Sequence, residues 1–371
     1  MKLLHLSDLH LGKKICEMSM IDEQQYIFDR IFEYVQSADL DAVIIAGDVY
    51  DKSIPPVEAV CLFDSILERF NAMSLPVFII SGNHDSPRRL SVGSAIMRKN
   101  GIYFGTDIEQ SLSPVTLEDK YGKVNFYLLP FMRPADVNDL FGEEIRSFTE
   151  AVKYMTDKMN IDPGERNVIV SHQFVAGAAL SESEMIVGNT ECVDKSVYEI
   201  FDYAALGHIH SPQNVGSDTI RYCGTPLKYS ASEAGRSKSL TVVTLEEKGS
   251  VRVDTVDLLP LHDMRKIKGK FNDLTREELR SDDYIYVELT DEMEIQSVAA
   301  RLRAIYCNLM SVSYSYTNNL MDRENAAALI NSEEKSTYDM FTEFYSRQHN
   351  DKQMSDIQKE ILNDILERME G

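Results

Sequence analysis

The sequence predicts a layered α/β protein, and three features of its 371 residues carry that prediction. Short apolar runs bounded by Gly and Ser recur along the chain. Segments of helical spacing alternate with them as far as about Asp136, and from Thr219 to Leu259 the pattern shifts to strands alone. The apolar runs are Leu3-Leu4-His5-Leu6, Ala42 to Ala46, Val77 to Ile80, Val168-Ile169-Val170 and Ala204-Ala205-Leu206. Being apolar in both parities, they read as strands buried on two faces. Between them Ile27, Phe28, Ile31, Phe32 and Val35, and then Val57, Val60, Cys61, Phe63 and Leu67, recur at helical spacing. Ile220-Arg221-Tyr222, Ser239 to Leu245 and Val251 to Leu258 are expected to build a second sheet.

Leu259-Pro260-Leu261 reads as a boundary, giving a main domain over 1–260. Beyond it, strands are expected at Met264 to Phe271, Tyr284 to Thr290 and Leu309 to Tyr316, with helices near Leu274 to Arg280 and Ile295 to Tyr306. That makes a small α+β unit over 261–331. The last segment, 332–371, is polar with sparse apolar anchors: Met340, Phe341, Phe344 and Tyr345, then Ile357, Ile361 and Ile365. Two helices of this kind pack either on the body of the chain or, as an apolar face in a groove, on a partner.

Composition excludes several classes. No apolar run approaches the roughly 18 residues that span a bilayer, and His5, Ser7, Asp8 and His10 interrupt the N-terminus, so neither a membrane nor a secreted protein is expected. The 5 cysteines, Cys16, Cys61, Cys192, Cys223 and Cys307, include no C-x-x-C pair. Reduced thiols in the cytoplasm account for them more simply than disulfides or structural zinc.

The chemistry lies directly after the apolar runs. There stand Asp8 and His10, Asp48, Asn83, His172, and His208 with His210, each in a short motif flanked by Gly or Ser. Strand ends of an open α/β sheet converge on one edge, so these side chains are expected to meet. Imidazole, carboxylate and amide without thiolate suit manganese, iron or zinc better than calcium, and manganese is favoured. Two such ions about 3.5 to 4 Å apart activate a water and clamp both oxygens of an in-line displacement at phosphorus. The pair needs a shared carboxylate, and Asp48, the sole acid of the Gly47-Asp48 turn, is the choice. Asp8 and His10, two apart, point to one face if the chain there is extended. His84 is expected to move a proton or steady a phosphoryl group, with Asp85 holding its imidazole. Singly, each motif is more often an ordinary turn; their joint order is what carries the reading. His5 has the opposite strand parity to Asp8 and His10 and reads as structural, while His262 and His349 read as surface or packing residues.

The order D-x-H, G-D, G-N-H-D, S-H, G-H-x-H resembles that of the calcineurin-like metallophosphoesterases. More narrowly, LLHLSDLHLGK, GDVYDKSIPP, GHIHSPQNVG and YCGTPLKYSASEAGRSKS resemble the SbcD family, nuclease subunits that act with an SbcC-type ATPase. The resemblance implies a four-layer sandwich of two mixed β-sheets flanked by helices, with a small capping domain and C-terminal helices that dock on the ATPase. It implies that Asp8, His10, Asp48 and His210 hold one Mn²⁺, that Asp48, Asn83, His172 and His208 hold the other, and that His84 is catalytic. It implies exonuclease action on duplex DNA ends, dependent on the partner's ATP, endonuclease action on single strands and hairpins, and a homodimer within a heterotetramer. The chain itself has no Gly-x-x-x-x-Gly-Lys-Ser/Thr loop.

Net charge opposes unaided DNA binding. The 60 acids against 38 Lys and Arg give −22, whereas stand-alone DNA-binding proteins are usually basic. A basic groove on the ATPase would relieve this. Locally, no acid stands between Asp85 and Asp107, while Arg88, Arg89, Arg98 and Lys99 do. They are the candidate DNA contacts, with a solvated helix face as the ordinary alternative. Lys13, Lys14, Arg133, Lys228, Arg236 and Lys238 are weaker candidates. The residues also leave open a phosphatase or small-molecule phosphodiesterase on the same scaffold, or a tethering subunit that does not cleave.

Overall fold

Two 6-stranded mixed sheets lie face to face in the computed structural model. The structure describes residues 1–179 and 192–315, and thereafter 338, 341–342, 345–346, 354–355, 357–359 and 361–362. In the first sheet Lys2–Leu6, Ala42–Ala46, Val77–Ile80 and Ile102–Gly105 run parallel, and Lys238–Leu245 and Val251–Leu258 complete it antiparallel beside Lys2–Leu6. In the second, Gly122–Leu129, Arg166–His172, Tyr203–Gly207 and Ile220–Tyr222 run parallel between antiparallel edges Val115–Asp119 and Gln213–Asn214. This is the four-layer α/β/β/α sandwich expected.

Period-2 geometry sorts the strand residues between the layers. Leu3, Ala42, Ile44, Phe78 and Ile80 meet Val124, Phe126, Val168, Val170, Tyr203 and Ala205 between the sheets. Phe78 stacks on Phe126 there with ring centroids 4.1 Å apart. The opposite parity, including Leu4, Leu6, Val43 and Ile45, packs on the helices Ile21–Ser37 and Val57–Ala72. The helix Phe148–Lys158 covers the second sheet through Ala151, Val152 and Met155. His5 points between the sheets, is fully buried, and its Nδ1 lies 2.9 Å from the Tyr203 hydroxyl, a structural place.

Two expectations need correcting. In Val57–Ala72 the buried stripe is Ala59, Leu62, Phe63, Ile66, Leu67 and Phe70, while Val57, Val60 and Cys61 face out. An apolar stripe two residues out of phase competed with the true one, and tertiary packing decided between them. Likewise only Ile220–Tyr222 of the late strands joins the second sheet; the hairpin of Lys238–Leu245 and Val251–Leu258 returns to the first. Strand pattern alone does not encode which sheet edge is free.

Past Leu258 a parallel 3-stranded sheet forms from Met264–Gly269, Tyr284–Leu289 and Leu309–Tyr314. Of the helices expected there, the first is displaced to Phe271–Leu274, with only a 3₁₀ turn at Glu277–Leu279, and the second is shortened to Val298–Arg303; the unit has its own core around Ile285, Val287, Leu302 and Tyr306. Met264, Tyr284 and Met310 tie it to the main core, and His262 Nδ1 lies 2.5 Å from Glu23 Oε1. Of the C-terminal anchors, Phe341, Ile357 and Ile361 are exposed and Tyr345 is half-buried; Met340, Phe344 and Ile365 lie outside the described residues, as does His349. Among the described residues no helix is long and apolar enough to cross a membrane.

Candidate metal centre

Every motif singled out for its ligand chemistry reaches the same edge of the sandwich. The Ala42–Ala46 strand hands directly to Gly47-Asp48, Val77–Ile80 leads to Asn83, and His172 ends its own strand opposite Gly207 in register. A hydrogen bond joins the sheets there, with His172 Nδ1 2.8 Å from the Ala46 carbonyl oxygen. Such a bond makes Nδ1 the donor and turns Nε2 toward Asn83 and Asp48. Close approach explains two glycines: a Cβ at Gly47 would strike the His172 ring, and one at Gly82 would strike the Asp48 carboxylate.

The loops are not extended, which corrects the parity argument for Asp8 and His10. Asp8, His10, Asp48 and His208 have φ of 50°, 45°, 47° and 101°, in the left-handed region that non-glycine residues avoid. Such conformations cost on the order of 1 to 3 kcal/mol each and persist where surroundings over-determine them. Here the restraints are visible. Asp8 N–H donates to the Gly47 carbonyl at 3.0 Å and His10 N–H to the Asp48 carbonyl at 3.0 Å. The Asp8 carboxylate accepts the His208 N–H at 3.0 Å and the Ser7 hydroxyl at 2.5 Å.

Ligand atoms of Asp8, His10 and His210, of His10, Asp48 and His84, and of Asp8, Asp48 and His172 form three groups, each within 4.8 Å. The groups overlap through Asp8, Asp48 and His10. His10 Nε2 and His210 Nε2 face each other at 3.1 Å, and Asn83 Oδ1 lies 3.1 Å from His172 Nε2 and 3.0 Å from His208 Nδ1. His208 and His210, two apart, therefore turn to opposite ends of the cluster.

Charge and burial fit a cation. Asp8, Asp48 and His172 are fully or almost fully buried. Burial pushes the Asp8 carboxyl up. Burial acts the same way on Asp48, but the His172 imidazole 3.4 Å away holds it well below the usual range. His172 rises to about 9, because the two carboxylates outweigh its burial. Burial pushes His208 down to about 3 and His10 well down, keeping both rings neutral as metal ligation requires. Buried carboxylates and the neutral imidazoles of His10 and His208, converging at this spacing, suit a divalent metal.

Asp85 is not where the sequence suggested. Its carboxylate, almost fully buried, accepts the backbone N–H of Gly82 at 2.9 Å, Tyr50 at 3.0 Å and Val49 at 3.1 Å, and so fastens the Asp48 turn to the Asn83 turn. Proximity in sequence placed it beside His84; the loop turns the two side chains apart. His84 is held instead by the Asp51 carbonyl, 2.9 Å from Nδ1. Asp51 was not legible as a partner, and neither were Gln24 and Tyr229. Gln24 Nε2 donates to the His10 carbonyl at 2.7 Å, and the Tyr229 hydroxyl donates to that of Leu9 at 2.6 Å. Contacts to main-chain carbonyls leave no local sequence signal.

Arg88, Arg89, Arg98 and Lys99 are all exposed, the first pair on the short helix Pro87–Leu90 that follows His84. Several weaker basic candidates are already engaged: Lys13 pairs with Asp51 at 2.6 Å, Lys228 with Asp263 at 2.7 Å, and Lys238 is buried.

Comparison with known proteins gives this edge a family. Residues 1–212 match the model described as Calcineurin-like phosphoesterase. Residues 260–349 match an SbcD C-terminal domain model, described as Type 5 capsule protein repressor C-terminal domain. Among solved structures the chain is similar to one titled "Structural and Functional Characterization of a Novel Archaeal Phosphodiesterase", at 12% identity and TM-score 0.31 over 69% of this chain and 100% of that one. It is similar also to a crystal structure at 11% identity and TM-score 0.42, over 70% and 99%. At such values the two structures bear on neither site nor substrate. The family match spans more than half of the residues, ends just past His210, and contains every candidate ligand. The chain belongs to the calcineurin-like phosphoesterase family, hydrolases of phosphoester bonds, and carries an SbcD C-terminal domain.

Proposed function

We propose that this protein is the manganese-dependent nuclease subunit of an SbcC-type complex, cleaving DNA phosphodiesters. The observation that carries the reading is the overlap of the three ligand groups through Asp8, Asp48 and His10, with His84 at their open side. In this reading Asp8, His10, Asp48 and His210 hold one ion, Asp48, Asn83, His172 and His208 hold the second, and Asp48 is shared. Ions bound there supply an activated water and neutralise charge that grows on the phosphoryl oxygens. The chain's own residues orient the site: Asp85 fastens two ligand loops, and the Asp51 carbonyl fixes His84 with Nε2 toward the cluster, 4.0 Å from Asp48 Oδ2. From that position His84 would donate a proton to the phosphoryl group or the departing oxygen only as the doubly protonated ring, giving up the proton on Nε2 while Nδ1 keeps its own on the Asp51 carbonyl.

The C-terminal match and the charge support the substrate and partner of this reading. A chain of −22 needs help to hold a polyanion, and an ATPase with a basic groove would provide it. We assign 1–260 to catalysis, 261–331 to a cap that restricts access to the metals, and 332–371 to the ATPase, with exposed Phe341, Ile357 and Ile361 among its contacts. Arg88 and Arg89 would meet the DNA backbone, Arg98 and Lys99 further along it. Exonuclease action on duplex ends, driven by the partner's ATP, hairpin and single-strand endonuclease action, a dimer within a heterotetramer and a cytoplasmic place complete the proposal. Manganese-dependent cleavage of end-labelled hairpins by the purified chain tests it; cleavage abolished by chelation is expected. Hydrolysis of a small phosphomonoester in preference to any DNA would replace it with a phosphatase.

A further inference from the structure

Behind His210 lies a buried charged cluster that neither the phosphoesterase match, ending at 212, nor the C-terminal match, starting at 260, includes. Glu233 is wholly buried and Lys238 nearly so. The Lys238 ammonium donates to Glu233 Oε2 at 2.5 Å, to Thr225 Oγ1 at 2.5 Å and to the His210 carbonyl at 2.8 Å. Those bonds use its three protons. Glu233 Oε1 accepts the Ser230 hydroxyl at 2.9 Å and lies 3.7 Å from His210 Nδ1. Thr225 N–H also donates to the His210 carbonyl, at 3.1 Å.

A buried ion pair is expensive unless its hydrogen bonds are complete, and a hydrophobic pair of similar shape would serve packing as well or better. Its orientation suggests what it is kept for. His210 Nε2 faces His10 Nε2, toward the cluster where a cation fits. An imidazole that gives Nε2 to a metal carries its proton on Nδ1, and that proton needs an acceptor to fix the ring. The Glu233 carboxylate stands on that side, and Lys238 and Thr225 clamp both it and the His210 backbone.

We infer that Glu233, locked by Lys238 and Thr225, is the positioning residue that orients His210 as a metal ligand, so that the segment linking the two matched regions is part of the metal centre. The inference rests on the two-ion reading above. It predicts a selective effect: loss of Glu233 weakens the ion held by His210 and leaves the ion at Asn83, His172 and His208 bound.

Manganese titration of the full chain, followed by calorimetry and electron paramagnetic resonance, tests this on the wild type, Glu233→Gln and the paired Glu233→Gln/Lys238→Met. The wild type is expected to bind two ions with the spectrum of an interacting pair. Folded Glu233→Gln should bind one ion as before and the other roughly 10- to 100-fold more weakly, giving the six-line spectrum of isolated manganese at matched loading. Should the single variant fail to fold, the paired variant, which leaves no charge unpaired, gives the same readout. Two ions bound with wild-type affinity in a folded variant overturn the inference and leave the two-ion reading intact. A wild type that binds fewer than two ions overturns that reading and the inference with it.

Discussion

The Nδ1 of His84 and the carbonyl oxygen of Asp51 lie 2.9 Å apart, and a carbonyl only accepts, so Nδ1 carries the proton. The opposite nitrogen is thereby directed at Asp48, 4.0 Å from Oδ2, on a ring that is itself exposed. The main chain thus does for His84 what the sequence assigned to Asp85. Asp51 also pairs with Lys13, which ties the loop after Asp48 to the loop after His10.

Asp85, freed from that role, becomes a stability element. Asp85→Asn keeps the shape but must turn its NH2 either to the N–H of Tyr50, now held by Oδ1, or to those of Val49 and Gly82, now held by Oδ2. A loss of about 1 to 3 kcal/mol is expected, read as a lower urea midpoint at unchanged slope. An unchanged midpoint would mean that the two loops are held by other interactions.

His5 predicts a pH dependence of stability. Burial, with Arg221 nearby, pushes its pKa down to about 3 from an ordinary value of 6.5. The folded state therefore resists a proton that the unfolded chain accepts, and the stability it contributes is present above pH 6.5 and lost on acidification toward 3. Between pH 7 and pH 5 this one group should cost the wild type about 2 kcal/mol. His5→Gln removes the effect, so the gap between wild type and variant in urea melts should narrow by that amount. A constant gap would show that His5 does not hold a neutral ring.

Much of this centre was legible because buried strands and metal ligands both leave strong local signals. Apolar runs such as Val77–Ile80 end where the backbone must turn, and ligand residues follow immediately. Features fixed by tertiary contacts were not legible. The helix phase at Val57–Ala72 depended on which of two apolar stripes found a sheet. The left-handed turns at Asp8 and His10 are imposed by hydrogen bonds to the loop after Ala46, distant in sequence. Glu233 and Lys238 look like ordinary surface charges until the chain folds them behind His210.

In the proposed reading, replacing Arg88 and Arg89 separates DNA binding from folding. Both are exposed on the helix that follows His84. Arg88→Ala/Arg89→Ala should raise KM for DNA several-fold with kcat little changed. The salt dependence of binding should flatten by about one unit of slope for each phosphate no longer neutralised. An unchanged KM and salt slope would return both residues to the solvated surface.

Asp48 belongs to two of the ligand groups and, in the proposed reading, to both ions. Asp48→Asn should abolish manganese-dependent cleavage and disrupt the spectrum of the metal pair. Full activity in a folded variant would remove Asp48 from the shared position.

The most direct test of the central claim is the rate of hairpin and single-strand cleavage against manganese concentration for the wild type and His84→Gln, with bound metal counted in each. The account predicts two ions in both proteins, cleavage by the wild type that vanishes on chelation, and a roughly 10²- to 10⁴-fold lower rate in the variant at saturating metal. Equal rates in the two proteins, or cleavage by the wild type that survives complete removal of metal, would contradict it.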